Sequence, residues 1–285
     1  MKLPQFSKKE PKPYWYVDAK WIFGLLLIVS LSILSFIYGL YKLTEENPAV
    51  ELSTILMASA FSPNGLDDTG DLKEFKSKIA TQAGEVIYPL ANIKNVSINK
   101  SDLEKYPPQE LRLKLFRQIS EPLYFEGAEG FAKKLTDDPN QQKKFANDAF
   151  LVSIFSRTFH QNLQNILFIS AIINLFFVIA FVFFSFGFGK IGNLGWVMLI
   201  VGLPGTFLSS ILNTPTLQVN TSEGALGGSQ LKMIAPFISN IPTSAIKILL
   251  SGYQIAATGG ALLIIFAIIG KSAWKIKVRR QKLSQ

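Results

Sequence analysis

The sequence predicts an all-α membrane protein with four transmembrane helices and a mainly helical extracytoplasmic domain inserted between helices 1 and 2. Two observations support this class: four long runs lack any charged residue or histidine, and one connection is much longer than the others. Each run has about the 20 residues that a helix needs to cross a hydrocarbon core about 30 Å thick. The runs cover residues 21–41, 163–189, 193–212 and 248–270.

The distribution of charge predicts the orientation of these spans. The net charge is +9, and the basic residues outside the long connection lie mostly in the tails, residues 1–20 and 271–285. The positive-inside rule places both tails in the cytoplasm of a cell (plasma) membrane, where they contact anionic lipid headgroups. Because the charge is concentrated beside membrane helices, nucleic acid is not an expected partner. The tail after the last span contributes Lys271, Lys275, Lys277, Arg279 and Arg280.

The long connection, residues 42–162, is expected to fold as a helical domain on the outer side. Apolar residues from Leu72 to Leu90 recur at helical spacing. The linker 91–100 that follows contains a short alternating patch, Ile93, Val96 and Ile98, for which a strand is a less favoured possibility.

A second helix is expected next: Ser101 with Glu104 has the spacing of a capping box, and Pro107-Pro108 marks a turn or a first helical position. Its apolar stripe is Leu111, Leu115, Phe116 and Ile119. A third helix is expected to start near Pro139 and run unbroken into the second span. The outer loop 213–247 ends in a semi-apolar segment that is expected to lie in the membrane interface, with a re-entrant segment as the alternative.

Small residues at one-turn spacing predict close helix packing in spans three and four. Such residues let two helix backbones approach, either within the chain or in a second subunit. Pro204 is expected to kink the third span, because it lacks an amide hydrogen and its ring crowds the preceding turn. The predicted packing residues are Gly202, Thr206, Ser210, Gly252, Ala256 and Gly260.

Two polar residues are candidates for contacts at membrane depth or at the membrane edge. Asn174 lies near the middle of the second span, where an amide needs a hydrogen-bond partner. His160, the only histidine, lies at the outer edge of that span. For both residues a structural role is the favoured interpretation, since the spans contain no ionisable group that would indicate a transport path.

No catalytic or metal signature stands out. One histidine and no cysteine leave none of the usual zinc-ligand sets, and paired carboxylates fall at expected helix starts. No cofactor is expected, and enzymatic activity is the less favoured possibility. The leading hypothesis is a non-catalytic subunit, scaffold or sensor that binds a protein partner or a second copy through its outer domain and small-residue helix faces. A transporter or permease component is the alternative, and a lipid-modifying membrane enzyme is the third.

Overall fold

The computed structural model describes residues 14–60, 86–87, 97–98, 100–148, 153–185, 189–211 and 241–283, and these residues are almost entirely helical. Four helices are long and apolar enough to cross a membrane, which makes the chain a multi-pass membrane protein. In chain order they are α1 (Tyr14–Leu43), α6 (Arg157–Phe183), α7 (Gly189–Ile211) and α8 (Thr243–Leu283). The shorter helices are α2 (Glu46–Ala60), α3 (Lys100–Lys105), α4 (Pro108–Leu135) and α5 (Pro139–Asp148).

The bounds of the four long helices differ from the uncharged runs. Helix α6 begins six residues before the run at Leu163 and ends at Phe183, where Phe184 and Ser185 form a turn and a bend. The Ser185 hydroxyl donates to the Phe181 carbonyl at 2.8 Å and so pairs one of the last carbonyls of the helix. Helix α8 continues past the uncharged run through the basic residues to Leu283.

The chain divides into two compact units. The first unit contains Met1–Phe36, Phe168–Phe207 and Ser251–Gln285, and the second contains Ile37–Leu167 and Leu208–Leu250. In the first unit, buried Leu27, Phe181 and Val197 join α1, α6 and α7 in one apolar cluster. Large apolar side chains cover the outward helix surfaces, as expected for segments in contact with lipid.

The core of the second unit lies between α2, α4 and their neighbours. Its central side chains are Ala49, Val50, Leu52, Leu123, Tyr124, Phe155 and Ala245. Pro108 occupies the first turn of α4, where a missing amide hydrogen costs nothing. The apolar stripe that the sequence predicts for this helix is buried, namely Leu111, Leu115, Phe116 and Ile119.

Helix α4 is interrupted at Gly127. This residue has φ 69° and ψ −155°, a conformation that glycine adopts without the steric penalty of a Cβ atom. Pro122, five residues earlier, also lies inside the helix and offers no amide hydrogen. The helical direction therefore changes within α4.

Two predictions about the outer segment are wrong. Val86 and Ile87, predicted as helical, pair antiparallel with Ile98 and Ser97 in a two-residue ladder, because the same apolar spacing also permits a strand. The helix from Pro139 does not run unbroken into the second span. It ends at Asp148, and α6 begins only after a 3₁₀ turn and Ser156.

Ser156 explains the new start at α6. Its hydroxyl oxygen accepts the Phe159 backbone N–H at 3.2 Å, which satisfies a donor that the first helical turn leaves unpaired. The predicted helix over residues 71–85, the N-terminal tail to residue 13 and loop residues 213–240 lie outside the described residues.

Candidate functional site

Asn174 forms a polar clamp between α1 and α6 in the first unit. Its side chain is 5% exposed, and its Nδ2 donates to the carbonyl oxygens of Ser30 at 2.9 Å and Ser170 at 3.2 Å. The Ser30 hydroxyl lies 3.3 Å from the amide oxygen and 3.2 Å from the Leu27 carbonyl oxygen, and it shares its hydrogen between these two acceptors. Both ends of the amide are therefore satisfied, and the clamp fixes the register of the two helices.

Glycines permit backbone contact between α7 and α8. A Cβ atom at Gly202 would lie 2.6 Å from the Ala257 Cα and 2.6 Å from the Tyr253 carbonyl oxygen. At Gly260 it would lie 2.7 Å from the carbonyl oxygen of Gly195. These separations are far below normal contact distances, so each position accepts only glycine without a shift of one helix.

Helix α8 also packs closely on α1. A Cβ atom at Gly252 would overlap the backbone of Ser35, and the Tyr253 hydroxyl donates to the Ser32 carbonyl oxygen at 3.2 Å. One face of α8 thus contacts α7, and Gly252 contacts α1. The small residues at these crossings are used for packing within the chain.

The remaining predicted packing residues differ in how far they are buried. Ala256 is buried, and Thr206 is partly buried with its hydroxyl donating to the Gly202 carbonyl at 2.9 Å. Ser210 is exposed, whereas its neighbour Ser209 is buried. Pro204 lies inside α7, which is assigned as one helix from Gly189 to Ile211, and the kink there stays a prediction.

His160 joins the start of α6 to the end of α1 within the second unit. Its ring stacks on Tyr41 with centroids 4.6 Å apart and an angle of 21° between the planes. Its Nδ1 lies 3.0 Å from the Thr44 hydroxyl oxygen, at hydrogen-bond distance. The sequence places His160 at the edge of a span but does not reveal its contacts with Tyr41 and Thr44, since these residues lie more than a hundred positions away.

A groove lies between α2 and α4, and no sequence pattern indicated it. Its volume is about 540 Å³, within the range of small-molecule and peptide pockets. Apolar side chains and charged groups of both signs surround it. The lining residues are Asn47, Val50, Glu51, Thr54, Ile55, Tyr106, Glu110, Leu113, Lys114 and Arg117.

The basic groups at the groove are held by carboxylates. Lys114 Nζ donates to Asp102 at 2.7 Å and lies 4.9 Å from the ring centre of Tyr106. The hydrogen bond to Asp102 raises the pKa of Lys114, so this side chain stays charged at neutral pH. Arg117 Nε donates to Glu121 at 3.0 Å. The two basic side chains that line the groove are therefore each paired with a carboxylate that lies outside its lining.

The basic residues after the last span belong to α8. Lys271, Lys275, Lys277, Arg279 and Arg280 are all exposed on this helix. No acidic residue occurs anywhere in α8. The sequence predicted the charges but not that they would be carried on a helix.

Within the described ranges, no three His, Cys, Asp or Glu side chains come together in a way that could hold a metal ion. Comparisons of the chain with models of known protein families, with curated proteins and with solved structures found no match. The features that could have a functional role are the helix crossings, the groove and the basic end of α8.

Proposed function

We propose that the chain is a non-catalytic subunit, scaffold or sensor of a plasma-membrane assembly, and that it recognises a partner protein through the groove between α2 and α4. The basic residues that flank the first and last spans support a cytoplasmic location for both termini. The segment between spans one and two is then the outer domain. It holds 17 acidic and 14 basic residues, a balance suited to the side opposite the basic tails.

The observation that supports a binding role is the composition of the groove. Val50, Ile55 and Leu113 provide apolar surface, while Glu51 and Glu110 supply negative charge at the same opening. Lys114 and Arg117 supply positive charge, so the rim offers both signs. An apolar centre with a polar rim is the usual arrangement of protein interfaces. The expected occupant is a partner segment that inserts apolar side chains and pairs with both signs.

The contacts near α2 favour a sensor or a gated subunit over a passive scaffold. Helix α2 begins at Glu46, two residues after Thr44, and Asn47 and Val50 of its first turns line the groove. Thr44 in turn contacts His160 at the start of α6. A partner bound in the groove would contact α2, which directly follows the end of α1. The end of α1 in turn contacts the start of α6, so binding of the partner could be coupled to the arrangement of these helices.

The small-residue faces were expected to pack on one another or on a second subunit, and the glycine contacts support the first of these. Gly202 and Gly260 are occupied in contacts between α7 and α8, and Gly252 in a contact between α8 and α1. They support the helix bundle of this chain instead of offering a free surface to a second subunit. The permease alternative gains no specific support, because the amide of Asn174 has its hydrogen bonds within the helices.

Native mass spectrometry of protein extracted gently from its own membrane tests the proposal. The variant Leu113→Trp places a large ring in the groove, and Glu129→Trp places the same ring on an exposed position of α4 outside it. Wild type and Glu129→Trp should carry a heteromeric partner in fixed stoichiometry, and Leu113→Trp should lose it. A wild-type protein that is a clean monomer or homo-oligomer, or a partner retained by Leu113→Trp, would contradict the groove assignment.

A further inference from the structure

Helix α8 is too long to be a membrane span alone. It contains 41 residues, which at 1.5 Å per residue give a length of about 60 Å, roughly twice the hydrocarbon thickness. Its uncharged run ends at Gly270. We call residues 271–283 the C-terminal extension. It continues the helix of the last span without an interruption, so it projects away from the end of that span.

The C-terminal extension is purely cationic. It carries six basic residues and no acidic residue. At 100° per residue, four of the cations fall within about 80° of one another, namely Lys271, Lys275, Arg279 and Lys282, whereas Lys277 and Arg280 lie roughly opposite them. The apolar side chains are not on the far side either, because Trp274 and Val278 lie beside the group of four. A helix that rests flat on a membrane needs its cations on one side and its apolar groups on the other. The extension lacks that pattern.

The six cations are spread over about 17 Å of the helix axis, so they differ in their distance from the membrane. Lys271 and Lys275 follow Gly270 closely, at the level of the headgroup layer, which is about 5–7 Å thick on each side. Arg279 and Arg280 lie about 13–15 Å beyond Gly270 along the axis, or about 12–14 Å with an average tilt. They are past the headgroups by nearly the screening length of about 8 Å in physiological salt. Lipid charge therefore explains the two lysines better than the two arginines.

We propose that the C-terminal extension is a docking helix for an acidic face of a cytoplasmic protein. Arginine pairs with carboxylates through two parallel hydrogen bonds, and arginine and tryptophan are the residues most often dominant at protein interfaces. Ile276 is 56% exposed and lies between Arg279 and Arg280 around the helix, and such an apolar group serves a protein interface but not phosphate contacts. Trp274 lies at headgroup depth, where tryptophan is common at membrane interfaces.

The partner is a different chain and not a second copy. Of the 20 acidic residues, 17 lie between Thr44 and Asn162, on the opposite side of the membrane in the proposed topology. Only Glu10 and Asp18 precede the first span. This docking surface is independent of the groove between α2 and α4, because it lies on other residues and its tests have other readouts.

The projection of the helix is tested first by spin labelling, which the absence of cysteine makes direct. Single variants Ser272→Cys and Val278→Cys are labelled in the full chain in lipid nanodiscs. We expect the label at position 278 to be more accessible to a water-soluble relaxation agent than the label at 272, and less accessible to oxygen. A label at 278 that reports lipid depth would overturn the proposal.

Binding is tested with two variants that change the net charge equally, Arg279→Glu/Arg280→Glu and Lys271→Glu/Lys275→Glu. The probe is a fluorescent helical peptide with glutamates around a leucine face, added to the full chain in nanodiscs of neutral lipid. The arginine variant should bind the peptide about tenfold more weakly or worse, because it loses charge-assisted hydrogen bonds, and the lysine variant should lose less than about threefold.

Two other probes test whether the partner is nucleic acid or lipid instead of a protein. If a single-stranded oligonucleotide binds more tightly than the peptide, the expected partner is nucleic acid and not a protein. Binding to anionic vesicles is measured with the same variants. If it depends on Arg279 and Arg280 as strongly as on Lys271 and Lys275, anionic lipid is the partner of the whole C-terminal extension. Equal losses of peptide binding in the two charge variants would show that only net charge matters for binding. Each of these three results would overturn the proposal.

Discussion

Replacing Gly202 with alanine should destabilise the packing of α7 on α8. The added Cβ would lie 2.6 Å from both the Ala257 Cα and the Tyr253 carbonyl oxygen, whereas favourable carbon contacts lie at about 3.5–4.0 Å. One helix must therefore move by about 1 Å. Overpacking of this kind costs about 1–3 kcal/mol, and the higher helix propensity of alanine offsets up to about 1 kcal/mol. We expect a net loss of about 1–2 kcal/mol.

Gly192→Ala is the matched control, because Gly192 lies on the same helix and faces the same neighbour. There the new Cβ meets the Ala267 Cβ at 3.5 Å, an ordinary contact. We expect this variant to be neutral or more stable by up to about 1 kcal/mol. The free energy of unfolding is measured by titration with dodecyl sulfate in bicelles. Equal stability of the two variants would refute the assignment of Gly202 to a backbone crossing.

Three further variants test individual contacts in the full chain. Asn174→Leu removes the clamp to Ser30 and should lower the free energy of unfolding by about 0.6–1.7 kcal/mol in the same titration; exposed Asn165→Leu on α6 is the control, and equal effects would contradict the clamp. Ser156→Ala removes the cap of α6 and should cost about 0.5–2 kcal/mol, while Ser156→Thr, which keeps a hydroxyl, should cost less. Burial raises the pKa of Tyr124 above 10.0, so the unfolded chain releases this proton first and stability should fall as the pH rises through and beyond that value. Tyr124→Phe should reduce that alkaline loss in thermal unfolding curves recorded from about pH 8 to 11, and an unchanged loss would show that other groups cause it.

The transmembrane helices could be predicted because their signal is local. A long uncharged run needs no knowledge of its neighbours, and the four helices that could cross a membrane fall where the four runs lie. The stripe from Leu111 to Ile119 is also a local pattern. It was predicted from helical spacing and is buried in the second unit.

Breaks between helices were harder to predict. Apolar residues from Phe145 to Phe159 keep helical spacing across the interruption, so periodicity alone does not reveal it. Ser156 was the available signal, because serine is a preferred helix cap and its hydroxyl pairs with the backbone of the new first turn. At Gly127 the signal was only a glycine inside a helical pattern, which is often tolerated without a break.

Contacts between distant segments could not be predicted at all from one sequence. The partners of His160, the groove between α2 and α4, and the choice of Ser209 over Ser210 for burial depend on how helices rotate and pair. Small-residue spacing indicates that some helix will approach closely, but it does not say which one. Gly252 meets α1, whereas Gly260 on the same row meets α7.

The use of the small residues bears on how the protein could recognise a partner. In a bilayer, lipid tails are as apolar as leucine, so exposed apolar side chains on the spans provide little drive for association. Close approach through small residues is the main apolar alternative, and the crossings at Gly202, Gly252 and Gly260 use those residues within the chain. We therefore expect specific recognition at surfaces in contact with water, where burial of apolar groups and charge both contribute. The groove and the C-terminal extension each combine apolar side chains with charge, so variants that abolish assembly are expected there and not on the lipid-facing surfaces.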